Sequence, residues 1–330
     1  MTHGRPSGPF ARGRRALAWP PRHRSRAPRR FTIHAPDRPH QGTLPRPRLL
    51  ACDLDGTLLD HLGRLRPIVC DAVQAITRSG VHVVLATGRS PWSGVADIAS
   101  TLGISGGHIT MQGALISDVA TGAVRRSRPL PPDVYLDVIA FADRMGLDPV
   151  VTLLQGNRAE RLPSGLDWIA DPSAETSRFG YETDLARLAG ERPMRVFLPT
   201  GPERHWSIRL VAAEAFLGRA AVVWTDASGI ELLALGTSKG EALAWYAACH
   251  GVPLDEVVAV GDAANDIAML RVAGRSAAMG SAPAEVRAAA DVTVGPSRED
   301  GILDAFRWFF PDLGDELGLS YVGSGLRLLS

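Results

Sequence analysis

The sequence predicts an α/β fold in which a parallel-sheet core is interrupted by a second, α+β lobe. Residues 48–89 have the apolar pattern of a strand, a helix and a second strand, which is the signature of a parallel βαβ unit. The same alternation returns after Lys239, where a helical segment at 239–250 is followed by the apolar run at 256–260. Residues 130–232, between these parts, mix short apolar runs with helical patterns and carry no recognisable site motif. We therefore expect a chain that leaves its core, builds a second unit and returns.

Apolar periodicity and turn residues predict the individual elements in order. The helical spacing of Ile68, Ala72 and Ile76 before Gly80 predicts a helix over 66–79. The other predicted helices are 132–145, 204–217, 239–250, 265–273 and 283–289. The predicted strands are 49–52, 81–86, 150–154, 195–198, 221–224, 256–260, 276–279 and 291–294, with further strands joined by turns over 109–128.

Charge is unevenly distributed along the 330 residues. Residues 1–48 contain 12 Arg and a single acid, Asp37, whereas the remainder has 24 cationic against 34 acidic side chains. Such an acidic body disfavours nucleic acid as the partner of the folded part. Residues 1–47 lack an apolar period, which predicts a disordered basic extension. We interpret it as an unstructured addition or an upstream start; a nucleic-acid arm and an organelle transit peptide are the alternatives.

Composition also limits the compartment and the partners. The three cysteines form no CxxC pair, which suits the reducing cytoplasm. No run reaches the ~18 apolar residues that a membrane span needs, so no membrane association is expected. The Gly-rich residues 311–330 form a tail without an assignable pattern, and the sequence makes no prediction of oligomeric state.

Polar residues follow three of the predicted strands at the point where each strand ends. They are Asp53, Thr87 and Asp262. An Asp after a strand is most often a turn former or a helix cap, so each position alone is a modest signal. The carboxyl ends of strands in an open α/β sheet are, however, where ligands bind. The three together predict a site at that edge of the core.

Two acidic motifs supply the carboxylates of this predicted site. The first is Asp53-Leu54-Asp55-Gly56-Thr57-Leu58, whose two carboxylates suit a nucleophile and an acid/base. The second is Gly261-Asp262-Ala263-Ala264-Asn265-Asp266. Because Mg²⁺ prefers oxygen ligands and reduces repulsion between carboxylates, the two motifs predict a magnesium site.

Lys239 is the single lysine among 36 cationic side chains, and it opens a predicted helix, where a cation is disfavoured. An ammonium is a compact point charge, whereas a guanidinium is a wider planar fork. We interpret Lys239 as a residue kept for a tight pocket that contains anions. The alternative is a chance lysine on a solvated face. Thr87, followed by Gly88 and Arg89 near a helix start, offers a hydroxyl and N–H groups to a phosphate oxygen.

Taken in this order, the motifs resemble those of the haloacid dehalogenase-like hydrolase superfamily, in particular its Cof-type branch. The resemblance runs from about Leu49 to Phe306. It implies a Rossmann-like core formed by residues 48–129 and 233–310, with an α/β cap of the C2 type inserted at 130–232. One departure is Gln112-Gly113-Ala114, where members of the branch commonly have Asn-Gly-Ala.

The resemblance also implies roles for single residues. Asp53 would be the nucleophile that forms an aspartyl-phosphate, and Asp55 the acid and base. The other implied roles are Mg²⁺ ligands at Asp53, the Asp55 main-chain carbonyl and Asp262, phosphoryl contacts at Thr87, the Gly88 N–H, Lys239 and Asn265, a supporting role for Asp266, and substrate contacts at Arg89 and Gln112. Further substrate contacts in the cap are hypothesised at Arg158, Arg161, Asp167 and Trp168.

The function that the resemblance implies is a Mg²⁺-dependent phosphatase acting on a small phosphorylated metabolite, a sugar phosphate being one candidate. A phosphotransferase or mutase of the same superfamily is the alternative among enzymes. A non-catalytic ligand-binding regulatory protein on the same fold is the alternative from another class, although such a protein would need neither Asp53 nor Asp55.

Overall fold

The computed structural model describes residues 45–163, 178–224, 228–316, 321–322 and 325–326. Within them the strands are β1 (Leu49–Cys52), β2 (His82–Leu85), β3 (Gly107–Thr110), β4 (Leu115–Asp118), β5 (Val124–Ser127), β6 (Val150–Leu153), β7 (Gly156–Ala159), β8 (Phe179–Tyr181), β9 (Arg195–Pro199), β10 (Ala220–Val223), β11 (Gly229–Ala234), β12 (Val257–Gly261), β13 (Arg275–Ala278), β14 (Val292–Thr293), β15 (Tyr321–Val322) and β16 (Gly325–Leu326). The α-helices of the same residues are α1 (Pro67–Arg78), α2 (Val95–Leu102), α3 (Pro132–Met145), α4 (Gly201–Ala215), α5 (Lys239–Cys249), α6 (Ile267–Val272), α7 (Ala284–Arg287), α8 (Gly301–Phe309) and α9 (Pro311–Glu316).

A five-stranded parallel sheet, in the order β14-β13-β12-β1-β2, forms the core. All four residues of the interior strand β1 are buried, as is typical of a parallel strand that is covered on both faces. Buried side chains of α1, α2 and α8 pack on one face, and those of α5, α6 and α7 pack on the other. This three-layer arrangement confirms the predicted α/β core.

The register of the neighbouring strands β12, β1 and β2 brings three strand ends to one edge of the sheet. Cys52, the last residue of β1, lies opposite Leu85 of β2 and Val260 of β12. The residues that follow these strands therefore emerge side by side. Asp53 directly follows β1, and its N–H donates to the carbonyl of Val260 on β12 at 3.0 Å, so these two strand ends are in contact.

The second unit is a six-stranded sheet in the order β10-β11-β9-β6-β7-β8, antiparallel except for the pair β7–β8. Helices α3 and α4 cover one face through a shared apolar cluster that includes Tyr135 and Ile208. We retain residues 130–232 as the proposed extent of this cap, although its strand β11 continues to Ala234.

The antiparallel sheet β3-β4-β5 links the two units. Its Ile109 forms a bridge with Ala86 at the end of β2. Leu115, at the start of β4, and Met111 in the preceding turn belong to an apolar cluster with Met194 of the cap and Leu233 at the end of β11. The cap thus packs against the part of the core that lies next to the converging strand ends.

Several helices and strands of the structure were not predicted from the sequence. The helices α2 and α8 and the strands β7, β8 and β11 were not predicted, and the tail contains the helix α9 and the short pair β15–β16. Of the residues assigned to the disordered extension, 1–44 lie outside the described part of the chain. No helix in the described ranges combines the length and the apolar character needed to cross a bilayer.

Candidate active site

The three polar residues at the strand ends occupy one edge of the core sheet. Asp53 and Thr87 are buried, with exposed fractions of 5% and 1%. Asp262 is half-buried, and its Oδ1 accepts a hydrogen bond from Thr57 Oγ1 at 3.2 Å. The turn after β1 fits closely against this side chain: Gly56 has φ +84°, and a Cβ on it would lie 2.3 Å from Asp262 Oδ2. Glycine is therefore required there for conformation and for space.

Lys239 lies at the first turn of α5 and reaches into the same edge of the sheet. Its side chain is 1% exposed, and Nζ donates to Asp53 Oδ1 and to Asp266 Oδ1, each at 2.7 Å. The helix start is fixed by Ser238, whose hydroxyl accepts from the Glu241 N–H at 3.1 Å. The single lysine is thus buried between two carboxylates, which excludes the interpretation of a chance residue on a solvated face.

Burial and mutual repulsion dominate the electrostatics of the cluster. Burial raises the pKa of Asp53 well above its ordinary value; the Lys239 ammonium opposes this rise, and the carboxylates of Asp266 and Asp262 add to it. Burial and the Asp266 carboxylate raise the pKa of Asp262 to about 6. Burial alone would lower the pKa of Lys239, but attraction to Asp266 and Asp53 outweighs it and the pKa is raised. Three carboxylates against one ammonium leave the cluster short of positive charge.

The donor set fits a hard divalent cation. Carboxylate oxygens of Asp53, Asp262 and Asp266 lie within 4.8 Å of one another. Asp266 is already committed, because its Oδ1 accepts from Lys239 and its Oδ2 accepts from the backbone N–H groups of Asp262 and Ala263, each at 3.0 Å. Asp53 and Asp262 therefore remain as the side chains best able to hold Mg²⁺, which is bound mainly by oxygen ligands.

Asp55 does not share the buried cluster. Its carboxylate is 56% exposed and accepts two hydrogen bonds from Arg89, at 2.8 Å from Nε and 2.5 Å from the terminal nitrogen Nη2. Arg89 was expected to contact substrate, but here it holds the residue expected to be the acid and base. Thr87 supports this arrangement, since its hydroxyl accepts from the Arg89 N–H at 3.1 Å.

Gln112 and Asn265 meet through a chain of hydrogen bonds that ends in the cap. Asn265 Nδ2 donates to Gln112 Oε1 at 2.8 Å, and Gln112 Nε2 donates to Glu231 Oε1 at 3.1 Å. Gln112 adopts φ +60°, and a Cβ on Gly88 would lie 2.4 Å from its Nε2. The extra methylene of Gln112, relative to the Asn of the resembling branch, lets one carboxamide bridge Glu231 and Asn265.

Glu231 and Arg195 were not among the predicted site residues. Arg195 donates to Glu231 Oε2 at 3.0 Å and to the Gly88 carbonyl at 2.7 Å, so a half-buried ion pair of the cap contacts the predicted phosphate loop. The available signal was a charged residue within the otherwise apolar run 229–234. Arg195 also contacts Ser90 Oγ at 3.3 Å.

Two of the hypothesised cap contacts have partners within the cap, and two fall outside the described residues. Arg161 pairs with Asp148 and has a side chain that is 75% exposed. Arg158 donates to the neighbouring Asn157 carbonyl at 2.8 Å, on the strand β7. Asp167 and Trp168 fall in 164–177, which the structure does not describe.

Comparisons with known proteins found relatives that match most of the chain. A family model described as haloacid dehalogenase-like hydrolase matches residues 50–306. Phosphatase YwpJ of Bacillus subtilis is 27% identical over 283 residues, which cover 77% of this chain and 97% of YwpJ. Pyridoxal phosphate phosphatase YbhA of Escherichia coli is 26% identical over 266 residues, covering 77% of this chain and 96% of YbhA. The solved structure of the subclass IIB sugar phosphatase BT4131 superposes with a TM-score of 0.70 at 22% identity, over 79% of this chain and 98% of that chain, which is a likeness of fold.

Proposed function

The chain belongs to the haloacid dehalogenase-like hydrolases, in the Cof-type branch, and is a phosphoric monoester hydrolase of that family. From this premise we propose that it is Mg²⁺ dependent, that Asp53 is its nucleophile, and that its substrate is a small phosphorylated metabolite. One observation carries the proposal: a fully buried ammonium at Lys239 touches Asp53 and Asp266 at a sheet edge shared with Thr87 and Asp262. Such a group of opposite charges suits a phosphoryl group that needs positioning and neutralisation.

The proposed reaction has two steps. In the first, an Asp53 carboxylate oxygen attacks phosphorus, the ester bond breaks, and Asp55 gives a proton to the leaving oxygen. In the second, Asp55 takes a proton from water, which attacks the aspartyl-phosphate and releases inorganic phosphate and free Asp53. Arg89 holds the Asp55 carboxylate through two hydrogen bonds, which fix its position beside the first strand end.

Positioning of the phosphoryl group is proposed for Thr87, the Gly88 N–H, Lys239 and Asn265. Asp266 holds Lys239 in place from its other side. Mg²⁺, when held by Asp53, the Asp55 carbonyl and Asp262, would neutralise charge on the phosphoryl oxygens and reduce repulsion between the two carboxylates. The substrates in the names of the relatives, pyridoxal phosphate and sugar phosphates, support a small metabolite as substrate. The unpaired cysteines of the described chain support the proposal of a cytoplasmic enzyme.

Hydrolysis of p-nitrophenyl phosphate tests the proposal directly. We expect the protein to release inorganic phosphate in the presence of Mg²⁺. We expect this hydrolysis to stop when the metal is chelated. A phosphotransferase would instead release nitrophenol only when an acceptor alcohol is supplied, and a regulatory binding protein would release none in either condition.

Mg²⁺ is expected to raise the melting temperature because it relieves the excess of negative charge around Asp53 and Asp262. At a metal concentration of a hundred times Kd, binding to the native state alone adds ~2.7 kcal/mol, which corresponds to about 4 °C for a chain of this size. The gain is expected to be larger at pH 8 than at pH 5.5, because the pKa of Asp262, about 6, lets protons compete with the metal at the lower pH. Thermal unfolding followed by circular dichroism with and without Mg²⁺ measures both effects.

The Asp262→Asn variant is expected to lose the metal-dependent gain. Asp118→Asn is the matched control, because Asp118 lies outside the site and accepts backbone N–H groups in the β4–β5 turn. An equal thermal gain in both variants would place the metal elsewhere and contradict the proposal.

Asp55→Asn is expected to affect the two reaction steps differently, depending on whether the leaving group needs a proton. Loss of the acid and base lowers turnover of an alkyl phosphate by about a hundredfold or more, because an alkoxide leaves poorly without a proton. Nitrophenolate needs no proton, so the variant is expected to release about one nitrophenol per enzyme in a rapid burst and then to stall at the phosphoenzyme. Rapid-quench kinetics with both esters measures this difference.

The exposed Asp71 of α1 provides the control for that experiment. Asp71→Asn is expected to behave as the unaltered enzyme with both esters. If Asp55→Asn turns over the alkyl ester at the rate of the unaltered enzyme, Asp55 is not the acid and base of the reaction.

A further inference from the structure

A cavity of about 160 Å³ lies between the end of the cap strand β10 and the proposed phosphoryl site. Its cap wall consists of Val222, Val223 and Trp224, and its core wall includes Gln112, Lys239 and Asn265. Because the cavity shares Lys239 and Asn265 with the proposed site, it is the space next to a phosphoryl group bound there. The organic part of a phosphate ester is therefore expected to enter it.

Most polar groups of the core wall are already engaged. The Lys239 ammonium contacts Asp53 and Asp266, and the Gln112 carboxamide contacts Glu231 and Asn265. Asn265 keeps one N–H, which the proposed function assigns to the phosphoryl group, and its Oδ1 is buried without a partner among the described residues. The Asn265 Oδ1 could accept from one hydroxyl group of a sugar, but the other hydroxyl groups would lack free acceptors among the carboxamide and ammonium groups of this wall, and each buried, unpaired hydroxyl is costly.

The cap wall offers an apolar, planar surface instead. Val222 and Val223 have no side-chain polar atoms, and the Trp224 ring is held from one side by Arg209, whose guanidinium carbon lies 3.2 Å from the ring centroid. A stacked guanidinium restricts the indole before any ligand arrives. The volume is also informative, because an apolar protein cavity of about 150 Å³ accommodates benzene.

We propose that this cavity selects phosphate esters of primary alcohols that carry one uncharged planar ring, with Trp224 as the specificity-determining residue. The ring lies against Trp224 and the two valines, while the phosphate occupies the edge of the core sheet. This inference rests on the proposed phosphatase function and narrows it, because it disfavours the sugar phosphates that the sequence resemblance brought into consideration.

Benzyl phosphate and glucose 6-phosphate test the inference, since both release a primary alcohol and differ in the organic group. The expected result is a kcat/KM at least about tenfold higher for benzyl phosphate, in line with burial of one ring face. Trp224→Ala is expected to remove most of that preference by lowering kcat/KM for benzyl phosphate alone. Trp224→Phe keeps a planar ring and is expected to keep the preference, so it decides the question if the alanine variant does not fold.

Trp206→Ala is the matched control. Trp206 lies on the same helix as Arg209, and the guanidinium carbon of Arg209 lies 4.5 Å from the Trp206 ring centroid. Trp206 is 63% exposed and does not line the cavity. A preference for glucose 6-phosphate, or equal effects of the Trp224→Ala and Trp206→Ala substitutions, would overturn the inference. Neither result would contradict the proposed phosphatase activity. That activity is tested separately by the dependence of p-nitrophenyl phosphate hydrolysis on Asp53.

Discussion

Replacement of Asp53 by Asn is expected to lower phosphate release by on the order of 10⁴-fold to 10⁶-fold, the range found when a covalent nucleophile is removed. The amide is nearly the same size as the carboxylate but is a poor nucleophile towards phosphorus. The unaltered enzyme is expected to carry a phosphoryl group after an acid quench during turnover, and the variant is expected to carry none. Mass spectrometry of the quenched protein measures the adduct, and inorganic phosphate release measures the rate.

The fold of the Asp53→Asn variant is expected to survive, because Lys239 retains its 2.7 Å contact with Asp266. Circular dichroism therefore distinguishes lost chemistry from lost structure. Asp118→Asn serves again as the control with unchanged activity. Phosphate release by Asp53→Asn at the rate of the unaltered enzyme would show that Asp53 is not the nucleophile.

Substitution of Lys239 is expected to have the second large effect. In Lys239→Met the carboxylates of Asp53 and Asp266 remain buried without a cation, which costs about 3–5 kcal/mol of the free energy of unfolding. In Lys239→Arg the charge is kept, but a wider planar group must enter a position that is 1% exposed. We expect that variant to lose activity on the order of a thousandfold, since the compact donor aimed at the phosphoryl group is misplaced.

Urea unfolding and kcat/KM together separate the two Lys239 variants. The control is the opposite exchange, Arg271→Lys, at an exposed position of α6, where no change is expected. Activity of Lys239→Arg close to that of the unaltered enzyme would contradict the steric explanation for why this chain keeps a single lysine.

Much of the core site could be predicted because neighbouring parallel strands end at one edge. Apolar runs identify β1, β2 and β12, and the polar residue after each run must then lie beside the others. The lone Lys239 was identifiable for a different reason, since a compositional exception at a helix start has no ordinary structural explanation. These signals are local and do not require knowledge of how distant segments pack.

The contacts between cap and core could not be predicted in this way. Glu231 and Gln112 are 119 positions apart, and their contact depends on how the cap sheet lies over the core. The orientation of Asp55 was likewise hidden, because its pairing with Arg89 depends on the path of the loop after β2. The helix α2 was missed because its eight residues fall in a segment bounded by glycines, where a short periodic pattern is hard to separate from a loop.

The burial of Lys239 has a consequence for protein chemistry. In the folded chain the one lysine side chain is closed to amine-reactive reagents, and its raised pKa keeps it in the non-nucleophilic form. Acylation at that position therefore requires the surrounding structure to open first. The rate at which Lys239 is acylated therefore reports how often the active site opens.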